Sequence, residues 1–331
     1  MTPFKAACLQ VNASNDLTAN LEKAGQLAVE ARSAGADLIL MPENVAMMEW
    51  GRSNIVLKAM PEDSHLALTF FRDLARELGC WLHCGSLHVL LDGGMVANRT
   101  YVLRPDGTTA GSYDKIHMFD VDLGLGEVYT ESATFAPGDQ AVAVQTPWGR
   151  LGLTICYDLR FPHLFRQLAK AECDFVAVPA AFTRTTGKAH WHVLLRARAI
   201  ETGCYVLAPA QCGEHVNNRQ TYGHALIVSP WGEILADALE QPGWVIADID
   251  PAKVADARRK IPCLDHDRPF AIPPRRCGDD CLSASSLMGA TSHAIHPGIP
   301  GCPATAGGGR LRLAQVRAMG GGGGPADAGR L

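Results

Sequence analysis

Two kinds of apolar block alternate along the first 270 residues. Short continuous runs rich in Val, Ile, Leu and Cys, such as FKAACLQV (4–11), ADLILMPE (36–43) and CDFVAVPAAF (173–182), read as strands buried on both faces. Between them come stretches with apolar residues three and four apart: LTANLEKAGQLAVEARSAG, ending at Gly35, then DSHLALTFFRDLARELG, FPHLFRQLAKAE and HWHVLLRARAIETG. These predict amphipathic helices. CWLHCGSLHVL (80–90) and CYVLAPAQ (204–211) each read as one strand following such a helix. Helix, Gly or acidic stop, then buried strand is the rhythm of an α/β protein.

Two stretches break that rhythm. LLDGGMVANRTYVLRPDGTTAGSYDK has turn signals at Asp92-Gly93-Gly94 and Asp106-Gly107, and YGHALIVSPWGEILADALEQPGWVIADID has one at Pro230-Trp231-Gly232. Antiparallel pairs therefore join the βα units, which predicts a mixed sheet or two sheets packed together. Near Arg275 the pattern stops. From there the chain has few aliphatic runs, no sustained period and two glycine tracts, Gly307 to Gly309 and Gly320 to Gly324. The expected organisation is one domain over residues 1–274 and a Gly-rich, disordered tail over 275–331.

Composition narrows the function classes. Of 331 residues, 47% are hydrophobic, enough for a large core, and the formal charge of -4 advertises neither nucleic acid nor an anionic membrane. The tail is mildly basic, with 6 Lys+Arg against 3 Asp+Glu, but too sparse for a nucleic-acid arm. No basic leader with a long apolar run opens the chain, and no stretch has the roughly 18 to 20 apolar residues a span requires. The 11 cysteines are scattered along a core-rich chain, which favours free thiols in a reducing compartment. A cytoplasmic protein acting on a small molecule is the expectation.

The candidate chemistry lies at strand exits. In LGLTICYDLRFP, Cys156 ends a predicted strand and Pro162 stands near the first turn of the next predicted helix. A buried thiol is ordinarily a small hydrophobe. At a strand-to-helix turn, however, a side chain is lifted from the sheet beside free backbone N–H groups that suit a developing oxyanion. A thiol with a pKa of about 8.5 also needs a base or a cation nearby to act as a nucleophile. Glu43, after Pro42 in DLILMPEN, and Lys115, in GSYDKIHMFD, occupy two other strand exits. Alone, each reads as a solvated charge; together with Cys156 they supply a base and a fixed cation.

These three motifs, in this order, resemble the nitrilase superfamily of carbon–nitrogen hydrolases over about residues 4 to 270. The resemblance implies a Glu43, Lys115, Cys156 triad and a second glutamate supporting the lysine and substrate, matched by Glu131 in YTESATFAPGD, with Glu127 the less suitable occupant. CYDLRFP, LLRARAIET, AQCG and YGH are similar to the branch that includes deaminated glutathione amidase and, more distantly, ω-amidase. His192 departs from the pattern, since the family often has glutamate there. The implied fold is an α-β-β-α sandwich that continues its layers across subunits in a homodimer or higher homo-oligomer. The implied reaction is hydrolysis of a linear amide through a cysteine thioester, without cofactor or metal. Deaminated glutathione is the first substrate expected, giving 2-oxoglutarate and cysteinylglycine, with 2-oxoglutaramate or 2-oxosuccinamate as the alternative.

For substrate carboxylates the candidates are Arg160, just past the nucleophile, beside Tyr157, and Arg184 or Arg198 from later segments. Arg196 and Arg198 read more simply as the polar face of a helix whose Trp191, Leu194, Leu195 and Ala199 pack inward. His117, near Lys115, either tunes the site or caps a loop, and Cys80 and Cys84 read as core. Cys277, Cys281, His293, His296 and Cys302 offer zinc ligand types at spacings too loose for a knuckle. No phosphate loop follows a strand. An inactive hydrolase fold used as a scaffold would lack a triad residue, and none is missing.

Overall fold

The computed structural model describes residues 2–124 and 126–273; the tail from Arg275 and its zinc-type residues lie outside the described residues. Two sheets form the centre of the fold. The first holds nine strands in the order Gln220–Tyr222, Ala210–Glu214, Phe4–Val11, Leu38–Leu40, Trp81–His83, Val96–Leu103, Leu87–Leu90. Gly243–Ile249 pairs antiparallel with Phe4–Val11, and Thr109–Asp114 with Val96–Leu103. The second sheet runs Ile234–Asp237, Leu226–Val228, Tyr205–Ala208, Cys173–Ala177, Gly149–Leu153, Val142–Thr146. Both are mixed.

Strand alternation explains the layering. Ala6 and Cys8 of the first strand face the second sheet and share one core with Leu151, Leu153, Phe175 and Val206. Their neighbours Ala7, Leu9 and Val11 face the other way, into a core with Ala24 and Ala28 of the helix Leu17–Ser33 and Phe71 and Leu74 of the helix Leu66–Leu78. On the second sheet, Leu164 and Phe165 of Pro162–Lys170 and Trp191 and Leu195 of Arg184–Thr202 close the far side. The result is helix, sheet, sheet, helix. Phe4 bolts the sheets together, stacking on Trp148 at 4.3 Å and meeting Phe175 edge-on at 5.3 Å.

Three expectations change here. CYVLAPAQ is not one strand: Tyr205–Ala208 belongs to the second sheet and Ala210–Glu214 to the first, with Pro209 at the crossing. Proline has no N–H for a ladder, so the pairing is interrupted there. The helix at HWHVLLRARAIETG begins earlier, at Arg184, where the Thr183 side chain accepts the Thr186 N–H. CWLHCGSLHVL is split into Trp81–His83 and Leu87–Leu90 around Gly85, which has φ 62°. At Gly85 a Cβ would lie 1.9 Å from the Pro42 carbonyl oxygen, because this loop presses on the turn that carries Glu43. Glycine is required there twice over. Gly85→Ala is expected to cost about 3 kcal/mol or more of stability, read from urea unfolding; a loss under about 1 kcal/mol contradicts this packing.

Candidate active site

Parallel strands deliver their C-terminal ends to one edge, and the candidate residues stand at those exits. Glu43 follows Leu38–Leu40, Lys115 follows Thr109–Asp114, and Cys156 follows Gly149–Leu153. The chain passes from that last strand into a single turn, Cys156–Arg160, and then into the helix at Pro162. Cys156 has φ 50°, a left-handed conformation that a cysteine holds only where its surroundings impose it. Its own N–H donates to the Pro179 carbonyl at 2.9 Å. Asp158, fully buried, clamps the turn: it accepts the Ile155 N–H at 2.8 Å, the Tyr113 hydroxyl at 2.7 Å and the His117 N–H at 3.1 Å, and lies 2.7 Å from His117 Nδ1. His117 stacks on Phe161 at 3.5 Å and so braces this clamp rather than lining the cleft.

Two buried charges, Glu43 and Lys115, and the partly buried Glu131 stand beside the thiol. Lys115 Nζ donates to Glu43 Oε1 at 3.0 Å and to both oxygens of Glu131 at 2.8 Å, and it is 2% exposed. Buried ions persist only when paired and hydrogen-bonded. Here the remaining lone pairs are met as well: Glu43 accepts the Ala181 N–H at 2.9 Å and the Asn98 amide at 2.9 Å, and Glu131 accepts the Phe119 N–H at 2.7 Å. Glu131 thus holds the lysine, while Glu127 turns away to Tyr129 and Thr185.

This arrangement decides the charge states. Burial alone raises the Glu43 carboxyl, but the Lys115 charge, the neighbouring Cys156 thiol and the charge of Arg219 together hold it below its ordinary 4.5. Burial, and then the Glu43 charge, push the Cys156 thiol well above its ordinary 9.0, against the pull of Lys115. Burial lowers Lys115, yet Glu131 and Glu43 outweigh it and keep the ammonium charged. The resting site is therefore carboxylate, ammonium and neutral thiol. The Tyr157 N–H opens the turn after Cys156, a position without an intrahelical acceptor.

A cleft of about 330 Å³ covers these groups, lined by Glu43, Lys115, Glu131, Cys156 and Tyr157 with Trp50, Phe119, Phe135 and Phe182 among its apolar walls. Arg160 does not line it. Its guanidinium lies over the Phe182 ring at 5.0 Å and the Tyr157 ring at 5.9 Å, and Nη1 stands 3.2 Å from His190 Nδ1. Arg198 is buried rather than on a polar face, donating to the Leu159 carbonyl at 3.0 Å and pairing with Glu201. Arg184 pairs with Glu240 at the surface. The arginines that do line the cleft are Arg52 and Arg219. Neither these nor Asn98 carries a motif on a strand exit, so local reading passes over them, and Asp158, though inside CYDLRFP, looks there like one more polar residue of the turn. His192 stands 3.1 Å from Asp237, which also lies 3.0 Å from His224; none of these three lines the cleft.

Comparison with known proteins agrees with this geometry. The family model described as carbon-nitrogen hydrolase matches residues 5–259. A deaminated glutathione amidase of Synechocystis sp. is 42% identical over 80% of this chain and 98% of the relative, and that of Homo sapiens is 38% identical over 81% and 83%. The crystal structure of the Caenorhabditis elegans NitFhit protein superposes with a TM-score of 0.75 at 34% identity over 80% of this chain. That match takes in 65% of NitFhit, so the chain spans less than two thirds of that protein's length. With the family model covering most of the chain and the fold matching, this protein belongs to the carbon–nitrogen hydrolases of the nitrilase superfamily.

Proposed function

We propose that this chain is an amidase that hydrolyses deaminated glutathione to 2-oxoglutarate and cysteinylglycine, with Cys156, Glu43 and Lys115 as its catalytic residues and Glu131 holding the lysine. One observation carries the mechanism: Glu43, held at 3.0 Å by the buried Lys115 ammonium, lines the same cleft as the Cys156 thiol, a carboxylate base and a fixed cation beside one nucleophile. As the sulfur bonds to the amide carbon, the thiol proton passes to Glu43. The carbonyl oxygen gains the negative charge, which on this reading the positive charge of Lys115 and the Tyr157 N–H stabilise. Collapse breaks the C–N bond while Glu43 gives its proton to the departing amine, leaving a thioester on Cys156. Water then loses a proton to Glu43, attacks the thioester and releases the acid, and the proton returns to sulfur. The choice of substrate is supported by the names of the relatives at 42% and 38% identity.

On the same reading the active unit is residues 1–274 and the protein is a cytoplasmic homo-oligomer. The described cysteines are unpaired thiols, as a reducing compartment leaves them. No helix among the described residues is long and apolar enough to cross a membrane. Val193 and Ile200 on one helix are 67% and 53% exposed, with Trp231 nearby in the fold at 52%, an apolar face of the kind subunits cover.

Side-by-side kcat/KM on deaminated glutathione, 2-oxoglutaramate and an aliphatic nitrile tests the substrate: the first is expected to lead, a lead for the second replaces it, and a lead for the nitrile defeats the amidase reading. Cys156→Ala is expected to lower kcat by at least about 10⁴-fold with no thioester by mass spectrometry; retained turnover rules out covalent catalysis through it. The pH profile separates general-base attack from a standing thiolate. With Glu43 ionised below 4.5 and the thiol protonated past 9.0, kcat/KM is expected to be flat from about pH 5 to 9, falling only as acid protonates Glu43. A resting thiol near its ordinary value would instead give a rise of about tenfold per unit up to about pH 8.5.

A further inference from the structure

Arg219 stands at the cleft without an ionic partner. It follows Asn217 and Asn218, both left-handed at φ 57° and 55°, in the turn between Ala210–Glu214 and Gln220–Tyr222. The turn is fastened down: the Arg219 carbonyl accepts the His215 N–H at 2.8 Å, and the His215 ring stands 2.8 Å from the Ala13 carbonyl and 2.7 Å from the Thr221 hydroxyl. The guanidinium donates to the Ala181 carbonyl at 3.0 Å and lies 5.5 Å over the Tyr129 ring. Its Nε is buried and has no hydrogen-bond acceptor. No carboxylate pairs with it among the described residues, whereas Lys115 has two.

A guanidinium N–H buried without an acceptor is a costly arrangement unless something else binds there. We infer that Arg219 is the anchor for the substrate carboxylate on the acyl side of the scissile amide. The inference rests on the reading that Cys156 attacks an amide in this cleft. It does not depend on which amide, because deaminated glutathione and 2-oxoglutaramate share the same acyl-side carboxylate. Position supports it: Ala181, which accepts from Arg219, donates through its own N–H to Glu43 Oε2 at 2.9 Å, so the cation is one residue removed from the base. A guanidinium presents paired N–H groups that match a carboxylate in one plane. Arg52, the other cleft arginine, is exposed and donates to the Ala133 carbonyl.

The test reads binding at the thiol rather than turnover. Cys156 is alkylated with iodoacetamide, followed by mass spectrometry, across a range of 2-oxoglutarate concentrations in the full-length protein. 2-Oxoglutarate is expected to protect the wild type, with the half-protecting concentration rising about 10- to 100-fold in Arg219→Met and severalfold in Arg219→Lys, which keeps the charge and loses the fork. A purely structural role would change alkylation without ligand and leave the half-protecting concentration in place. That outcome overturns the inference, as does absence of protection in the wild type, or a larger loss in Arg52→Met than in Arg219→Met. If deaminated glutathione is not turned over while protection still depends on Arg219, the substrate assignment fails and the anchor stands.

Discussion

The buried pairing of Lys115 with Glu43 and Glu131 is the constraint on which the rest of the molecule turns. Each of these ions alone would face a desolvation cost of several kcal/mol, so none can occupy its position unless the others are already there. Glu43 and Lys115 leave two strands of the first sheet, and Glu131 opens a short turn after a strand of a separate two-stranded sheet. Their meeting requires these exits to converge, with Asn98 of the strand Val96–Leu103 and the loop residues Ala181 and Phe119 as further donors. The close approach of Gly85 to Pro42 belongs to the same requirement, since it sets where the Glu43 turn lies.

That pairing also fixes where the reactive charge rests. An exposed cysteine beside a lone cation would ionise itself; here burial and the Glu43 charge keep the proton on sulfur, and the carboxylate carries the negative charge. In the proposed mechanism the thiol becomes nucleophilic only as its proton leaves, in the same event that forms the bond to carbon. Asp158 contributes without touching the reacting atoms. By accepting from the Ile155 N–H, the Tyr113 hydroxyl and the His117 backbone, it holds a turn whose first residue is in the left-handed region.

Centre and walls follow different rules. The triad is carried by strand ends inside two packed sheets, where position is set to within tenths of an ångström by dense packing. The cleft walls come from loops and short turns, and Arg219 reaches them only because a hairpin spanning the two left-handed asparagines is tied to Ala13 and Thr221. On the proposed reading, reaction type and substrate choice fall to different parts of the chain.

Much of this was legible in the residues. Continuous apolar runs marked the buried strands and helical spacing marked their partners; Glu43 and Cys156 end apolar runs and Lys115 follows a hairpin strand, and all three line one cleft. Short-range pattern did not show that CYVLAPAQ changes sheets at Pro209, since both halves are equally apolar. It also favoured Arg160, which is near Cys156 in sequence but directed onto Phe182, over Arg219, which is 63 positions away and lines the cleft. The sequence by itself determined the layers and the kind of chemistry, because hydrophobic period and side-chain type are local properties. Only the tertiary structure decided which charges meet and which arginines line the cleft, because these depend on distances between segments that the chain brings together only when both sheets close on one core.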